Sequence, residues 1–464
     1  MLILLKYLVF VCMIFAYCPC SNAQDLEDLV FKSIEELIEI EIYTAGKKEE
    51  KVSDIPASVV IITSEEIKRY GYTSIQEILK NVPGLYAIDD IASYGTTFGV
   101  RGFWTGNPRN IIFLLNGIKQ NDSLFNFYLT QHFNIPVEAI DRIEIVRGPM
   151  SVIYGEGAFF GAINIITDKI SEKTVISTKY GSHNTVRTAL KSSGKEGNLD
   201  YAITVGYYNT DGPNEPLDKM TNNIEKLEGI NHTNNTTNNR LENKSKHLNL
   251  SLNHDHFYSK INFNDSTDEK YIMYPSYSDG SSYNRRNFRF KLGYKKQVSD
   301  RFKYDISVTY HKYYMHLDSD WESPGLNYTQ GESSAYETEL LTYFDFSESF
   351  DVTTGFCVKK DNGIYYYANL DKFGGALKDS VKDSLFTSSL FTQARYTPYD
   401  NLKLVAGMRF EKFSKYNYIH YQKPANTKET RMYDQDNIEF IPRLAAIYSI
   451  NQKNNIKILY GKAI

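Results

Sequence analysis

From Asp168 onward the sequence falls into segments of about ten residues in which polar and apolar side chains alternate, the pattern of a strand with two different faces. About ten residues is also the length a tilted strand needs to cross a bilayer. Ascending strands are expected near residues 173–180, 199–209, 256–264, 302–312, 351–360 and 401–412. Descending strands are expected near 184–193, 247–254, 286–296, 335–346, 388–397 and 438–450, and a last fragment, 456–460, turns upward again. The joins sort by length: Gly194 to Asn198, His254 to His256, Val298 to Arg301 and Tyr399 to Asn401 are short, whereas Asp211 to Lys246, Asp265 to Arg285, Leu317 to Ser334 and Asp361 to Phe386 are long. A soluble sandwich has no reason to put its long loops at one end; a membrane barrel does, with short turns inside and long loops outside. The 37 Tyr and 26 Phe in a chain of mean hydropathy −0.42 fit the same reading, because aromatic girdles flank a barrel whose interior is polar. A net charge of −4 argues against a nucleic-acid binder.

The N-terminus reads as an export signal. Lys6 precedes the apolar run Leu8 to Tyr17, and Ser21-Asn22-Ala23 offers a small-residue cleavage site. Cys12, Cys18 and Cys20 would leave with it, so Cys357 alone stays, and neither an internal disulfide nor a cysteine metal site is expected. A lipid anchor is disfavoured because Tyr17 and Pro19, not small residues, precede Cys18 and Cys20. Asp25 to Ile42 begins with helical spacing at Leu26, Leu29, Val30, Ile34, Leu37 and Ile38, then alternates like a strand over Ile40 to Ala45 before a charged linker, Gly46 to Lys51.

Between these parts, Ser58 to Ile62 reads as a strand. Thr63 with Glu66, and Thr73 with Gln76, form capping-box patterns for two short helices. Phe98 to Phe103 reads as a strand around Arg101, and Asn110 to Leu115 as a buried run ending in the hairpin signal Asn116-Gly117. In Ile143 to Thr167, two β-rich runs flank Gly148-Pro149, a helical turn at Ser151 to Tyr154, and Gly155, Gly157 and Gly161, which supply positive φ or close backbone approach. A dinucleotide loop is excluded there, because a strand composition, Ile163 to Thr167, stands where that motif needs a helix.

Asp54 to Ser58 (DIPAS), Asn81 to Leu85 (NVPGL), Val100-Arg101-Gly102, Leu115-Asn116-Gly117, Ala139 to Pro149, Tyr154-Gly155 and Gly161 to Thr167 together closely resemble the plug domain of TonB-dependent outer-membrane receptors. The resemblance covers residues 52–167. It implies an α+β plug domain followed by a transmembrane antiparallel β-barrel. The expected division is a signal peptide over 1–23, a periplasmic segment over 24–51, the plug over 52–168 and the N-terminal part of the barrel over 169–464. About thirteen strands against about 22 in a plugged transporter suggest a barrel truncated at the C-terminus.

The same resemblance implies a site and partners. Glu41, Ile42, Tyr43, Thr44 and Ala45 are similar to the TonB box, the segment that TonB captures as an added strand; the alternative is a plain N-terminal strand or linker. Arg101 and Arg147, with Glu144, are expected to dock the plug, the arginines against barrel carboxylates, or else to be ordinary surface charges. Tyr94, Trp104, Phe125, Tyr128 and His132 in plug loops and Tyr274 and Tyr277 in an external loop are candidate ligand contacts, as are the aromatics around Tyr283, His311, Tyr313, Tyr314, His316 and Trp321; the alternative for the tyrosines nearest strand ends is an aromatic girdle. His254-Asp255-His256 looks like a metal pair but falls in a tight turn, so no metal site and no cofactor are expected. The implied function is import of a scarce nutrient, with a ferric siderophore or other iron complex as the default, across the outer membrane of a Gram-negative bacterium. TonB with its inner-membrane complex, the small ligand and outer-membrane lipid are the expected partners. No catalytic set of nucleophile, base and oxyanion donors emerges. A surface receptor or adhesion protein without transport, or a nonfunctional truncated product, are the alternatives.

Overall fold

The computed structural model describes residues 41–44, 46–90, 95–104, 109–126, 135–214, 216, 241–270, 281–319, 327–370, 375–381, 384–423, 427–434, 437–451 and 454–464. The helical spacing of Asp25 to Ile42 therefore lies almost wholly outside the described residues.

The chain opens with a short antiparallel pair, β1 (Glu41–Ile42) and β2 (Glu50–Lys51). A mixed unit follows, with β3 (Ser58–Thr63), α1 (Ser64–Arg69), α2 (Ile75–Lys80), β4 (Leu85–Asp90), β5 (Gly95–Val100), β6 (Ile111–Leu115), β7 (Ile118–Lys119), β8 (Arg142–Arg147), α3 (Ser151–Tyr154) and β9 (Gly161–Ile166). Its sheet runs β3-β8-β9-β6-β7, antiparallel except between β6 and β9. The capping box at Thr63 forms, with Glu66 bonded back to the Thr63 amide at 2.7 Å. At α2 the cap shifts by one residue from expectation: Ser74 accepts from Glu77, the residue three positions on, while Thr73 bonds the Glu77 carboxylate. Asn116 and Gly117 both take positive φ, as the tight hairpin turn requires. The expected strand around Arg101 is corrected, because Arg101 (φ 52°) and Gly102 (φ 85°) make a turn after β5 ends.

Beyond Thr167 the chain forms one large antiparallel sheet. Its strands are β10 (Thr174–Gly181), β11 (Thr185–Glu196), β12 (Leu199–Thr210), β13 (Asn243–His254), β14 (Phe257–Lys270), β15 (Ser281–Ser299), β16 (Phe302–Ser319), β17 (Asn327–Ser347), β18 (Phe350–Leu370), β19 (Gly375–Val381), β20 (Leu385–Tyr399), β21 (Leu402–Phe413), β22 (Tyr416–Lys423), β23 (Thr427–Tyr433), β24 (Glu439–Asn451) and β25 (Asn454–Gly461). Thirteen form the main path, each expected strand among them. Turns of two residues, such as 255–256, 300–301, 348–349 and 400–401, close one end. The long joins gather at the other.

On sequence pattern alone β19, β22 and β23 fall within joins between the expected strands. They pair off the main path, β19 against β18 and β22, and β22 against β23. Thr427–Tyr433 is exposed at every position, so no buried face marks it as a strand. β17 and β18 run to 21 residues each, well past the span of a bilayer.

The two faces of the large sheet differ as the alternation requires. In β16, Asp305 and Ser307 are buried while Ile306 and Val308 are 43% and 47% exposed. The buried face is filled by the plug, and the exposed face is the apolar band that meets lipid. No helix among the described residues is long and apolar enough to cross a membrane.

Candidate functional site

The plug has two apolar faces with different partners. One side of its sheet, including Phe113, Leu115, Ile143, Ile145 and Ile163, packs on Ile67, Ile75, Ile78 and Leu79 of α1 and α2. The other side, with Ile112, Leu114, Val146 and Ala162, packs on Ile42, Met150, Val152 and Ile153 and reaches Leu341, Tyr343, Phe391 and Ile441 of the barrel wall.

At the short-turn end the N-terminal segment is tied in. Ile42 and Thr44 are fully buried and Glu41 is exposed; Ala45 lies outside the described residues. Thr44 Oγ1 donates to Glu144 and accepts from Asn164 Nδ2 at 3.0 Å, while Tyr154 OH donates to the Thr44 carbonyl at 2.9 Å. The next turn is held by ions. Lys47 pairs with Glu339, Lys48 with Asp351 at 2.5 Å, and Arg395 bridges Glu50 and Asp351, both at 2.8 Å. Burial pushes the Glu50 carboxyl up, against the pull of Arg395. Lys403 adds a contact to Asp54 at 2.7 Å.

These pairs correct the expected docking chemistry. Arg147 donates to the Pro83 carbonyl and to Ser58 Oγ, both within the plug, and Arg101 is exposed. Desolvation and the neighbouring Arg101 charge lower the Arg147 pKa. Glu144 binds Arg142 and Thr44, not the barrel. Much of the docking runs the other way, from barrel cations to plug acceptors: Lys191 to Asp141 at 2.5 Å, Lys260 to Asp168 at 2.8 Å, Arg289 to the Gln120 carbonyl at 2.5 Å, Arg443 to the Pro56 carbonyl at 2.7 Å and Lys457 to the Ile55 carbonyl at 2.7 Å. In sequence Lys47, Lys48 and Glu50 stand only as part of a charged linker. Charged residues at inward positions of alternating strands, such as Glu339 and Asp351, were the available signal.

Toward the long-loop end the plug presents Asp122 to Asn126. The Asp122 carboxylate caps the backbone N–H groups of Leu124 (2.8 Å) and Phe125 (2.6 Å), and burial holds its pKa up at about 6 despite those bonds and nearby Arg289. Ser123 meets His311 at 2.9 Å. Leu124 and Phe125 pack against an inward cluster of Tyr283, Tyr313, Met315 and Leu317, and Tyr366 stands edge-on to Phe125 with ring centres 5.9 Å apart. Of the candidate ligand residues, Phe125 is thus placed in an aromatic cluster. Trp104 stands apart from it, its indole bonded to Thr97 at 2.8 Å. Tyr94, Tyr128, His132, Tyr274, Tyr277 and Trp321 lie outside the described residues.

Tyr283, His311, Tyr313, Tyr314 and His316 belong to strands and not to loops. Tyr314 and His316 face outward, lining with Arg286 and Lys312 a cleft of about 750 Å³ on the outer wall. His254 and Asp255 form an exposed turn, and no group of three or more potential metal ligands occurs among the described residues.

Two family models match the chain: TonB-dependent Receptor Plug Domain over residues 51–162, and TonB dependent receptor-like, beta-barrel, over residues 223–464. The chain belongs to the TonB-dependent receptor family, whose members are outer-membrane receptors and transporters of Gram-negative bacteria and not enzymes. It is similar to the vitamin B12 transporter BtuB of Vibrio vulnificus, 31% identical over 144 residues that cover 30% of this chain and 23% of that protein. The aligned stretch is therefore about a quarter of the relative's length. The fold is similar to that of the ferric yersiniabactin uptake receptor FyuA from Yersinia pestis, with a TM-score of 0.64, 15% identity, and 85% of this chain against 62% of that one. It is also similar to that of the ferric-catecholate import receptor Fiu from E. coli K12, with a TM-score of 0.64, 14% identity, and 92% against 72%.

Proposed function

We propose that the protein binds a scarce nutrient at the cell surface and imports it. TonB would draw on the segment Glu41 to Ala45 and so displace the plug. The observation that carries this reading is the division of the plug between two ends. Phe125 joins an inward aromatic cluster toward the long loops, while Thr44 and Lys47 are tied in by a small set of polar contacts at the short-turn end. A ligand held at the first end and a pull applied at the second would act on one body.

A ferric siderophore or other iron complex is the ligand class proposed first, since aromatic side chains suit large ligands with planar groups. Cobalamin is the second reading, favoured by the likeness over 144 residues to a vitamin B12 transporter. The test is uptake of radiolabelled iron complexes and of labelled cyanocobalamin by cells producing the intact receptor, with and without TonB. Replacing Ile42 with Pro blocks strand addition at that residue and is expected to reduce uptake at least tenfold while surface binding persists. Unchanged uptake in I42P would sink the assignment of the TonB-contacting segment. TonB-independent uptake would sink the import mechanism.

A further inference from the structure

The cleft on the outer wall lies where a barrel would otherwise present only apolar side chains to lipid. Its volume of about 750 Å³ is within the range of small-ligand sites. Toward the short-turn end the same face is apolar: Leu292, Ile306, Val308 and Leu340 are each more than a third exposed. Phe288 and Tyr310 come next, at the lower edge of the cleft, and Arg286 and Lys312 are the following outward positions of β15 and β16. At ~3.4 Å per residue and a tilt of about 40°, the stretch of β16 from Phe302 to Lys312 rises about 26 Å, the height of a barrel's apolar band. The cleft therefore sits at the outer rim of that band, level with the headgroups of the outer leaflet.

Its cations are placed as a pair. In the β15–β16 register Arg286 faces Tyr314 and Lys312 faces Phe288, so the two are diagonal neighbours about 7–8 Å apart at Cα. Long side chains at that spacing can close on one phosphate, the guanidinium through two parallel N–H donors and the ammonium as a point charge. Asp265 holds Arg286 on one side at 3.2 Å, yet the Arg286 side chain is 59% exposed. Lys312 is exposed and makes no ion pair among the described residues. Arg285 also borders the cleft but is buried and pairs with Asp268, and His316 is tied to Asp318 at 3.0 Å. The second carboxylate of the lining, Glu332, faces Tyr314 from β17 and so stands diagonal to Lys312 on the side away from Arg286. Lys and Arg on a lipid-facing surface are tolerated at the interface and not at the midplane, and an anionic headgroup at that level supplies their counter-charge.

We propose that this cleft is the docking site of one outer-leaflet lipid whose sugar headgroup carries a phosphate monoester. The phosphate sits between Arg286 and Lys312, the sugar lies against Tyr314, and the acyl chains run down over Phe288, Tyr310 and the exposed apolar row beneath. Position and charge select this occupant. An inner-leaflet lipid cannot reach the outer rim, and a zwitterionic headgroup brings a cation that Arg286 and Lys312 repel. The site is on the opposite face of the wall from the plug, so it depends neither on the nutrient nor on TonB.

The test is titration of the purified intact receptor in detergent with bis-phosphorylated lipid A, followed by native mass spectrometry. EDTA is present so that no divalent cation bridges Glu332 to phosphate. One tightly held lipid per receptor is expected. Arg286→Ala with Lys312→Ala is expected to weaken it at least tenfold, Lys312→Arg to leave it unchanged, and Glu332→Gln to strengthen it about threefold. Lipid A stripped of phosphate, with the same acyl chains, should bind the wild type as weakly as lipid A binds the double variant. Unchanged binding in a double variant that still shows heat-modifiable migration overturns the proposal. So does equal binding of the phosphate-free lipid, since acyl chains alone then fill the cleft, and so does binding that appears only when Mg²⁺ replaces EDTA. Displacement of the lipid by millimolar inorganic phosphate also overturns it, because the site then takes free phosphate. If the double variant does not fold, Lys312→Ala alone breaks no ion pair among the described residues and is expected to weaken binding about threefold. Unchanged affinity in K312A overturns the proposal as well.

Discussion

The two faces of the plug sheet use the same residue types for opposite ends. The face bearing Phe113, Ile143 and Ile163 is sealed by the plug's own helices, so its core is complete without the barrel. The face bearing Ile112, Leu114 and Val146 shares a smaller apolar cluster with the wall, and around that cluster contacts become ionic or polar and a cavity intervenes. Apolar burial stabilises in proportion to area and has no alternative partner in water. An ion pair or hydrogen bond can be exchanged for water, so its net worth is small. The plug is therefore built to hold together more firmly than it is held in place.

Three substitutions test that contrast. Phe113→Ala empties a site that is 1% exposed on the self-sealed face and is expected to destabilise the plug by about 3–5 kcal/mol. Thermal unfolding in detergent would show a separate, lowered plug transition. A change confined to docking, with the plug transition unmoved, would break the comparison.

A smaller effect is expected at the apex. The Asp122 pKa, at about 6 in the folded protein, lies above the ordinary carboxyl value of 3.8. Its contribution to stability is full below the unfolded value and is lost as pH rises through about 6, so the apex is expected to be firmer at pH 5 than at pH 8. The difference is roughly 1.4 kcal/mol as an order of magnitude. Asp122→Asn keeps an acceptor for the Leu124 and Phe125 amides and should flatten this pH dependence of amide exchange over 122–126. A dependence that survives in D122N assigns it to another group.

The smallest effect is expected on the barrel-facing side. Tyr343→Phe removes the hydrogen bond to the Lys47 carbonyl at a cost of about 1 kcal/mol. Amide exchange in residues 43–47 should quicken about fivefold with the plug core unchanged. Exchange that quickens equally at Phe113 would show that the two faces are not separable.

Much of this architecture was legible because it is local. The thirteen strands of the main path follow from alternation, which a strand's period of two converts into one lipid-facing and one plug-facing side. The Asn116-Gly117 hairpin and the Thr63 cap follow from the few residue types that tolerate those conformations. Legibility ended where exposure is uniform, as in β23, and where two signals were one residue apart, as with Thr73 and Ser74 at α2.

The docking chemistry was not legible. The family resemblance points to Arg101 and Arg147 as the docking charges, yet Arg147 bonds within the plug and Arg101 is exposed. The ties to the wall are made by charges that looked like linker or ordinary alternation. What the sequence by itself determined is which residues form strands, which face of each strand is apolar and where the chain turns, since each depends on neighbours a few positions away. Only the tertiary structure decided that Lys47 meets Glu339, 292 residues on, and that a cavity lies between the plug and β15–β18, β20 and β21. Those contacts depend on how the plug is rotated within the sheet and on the register of every strand between them, and no short stretch of sequence carries that information.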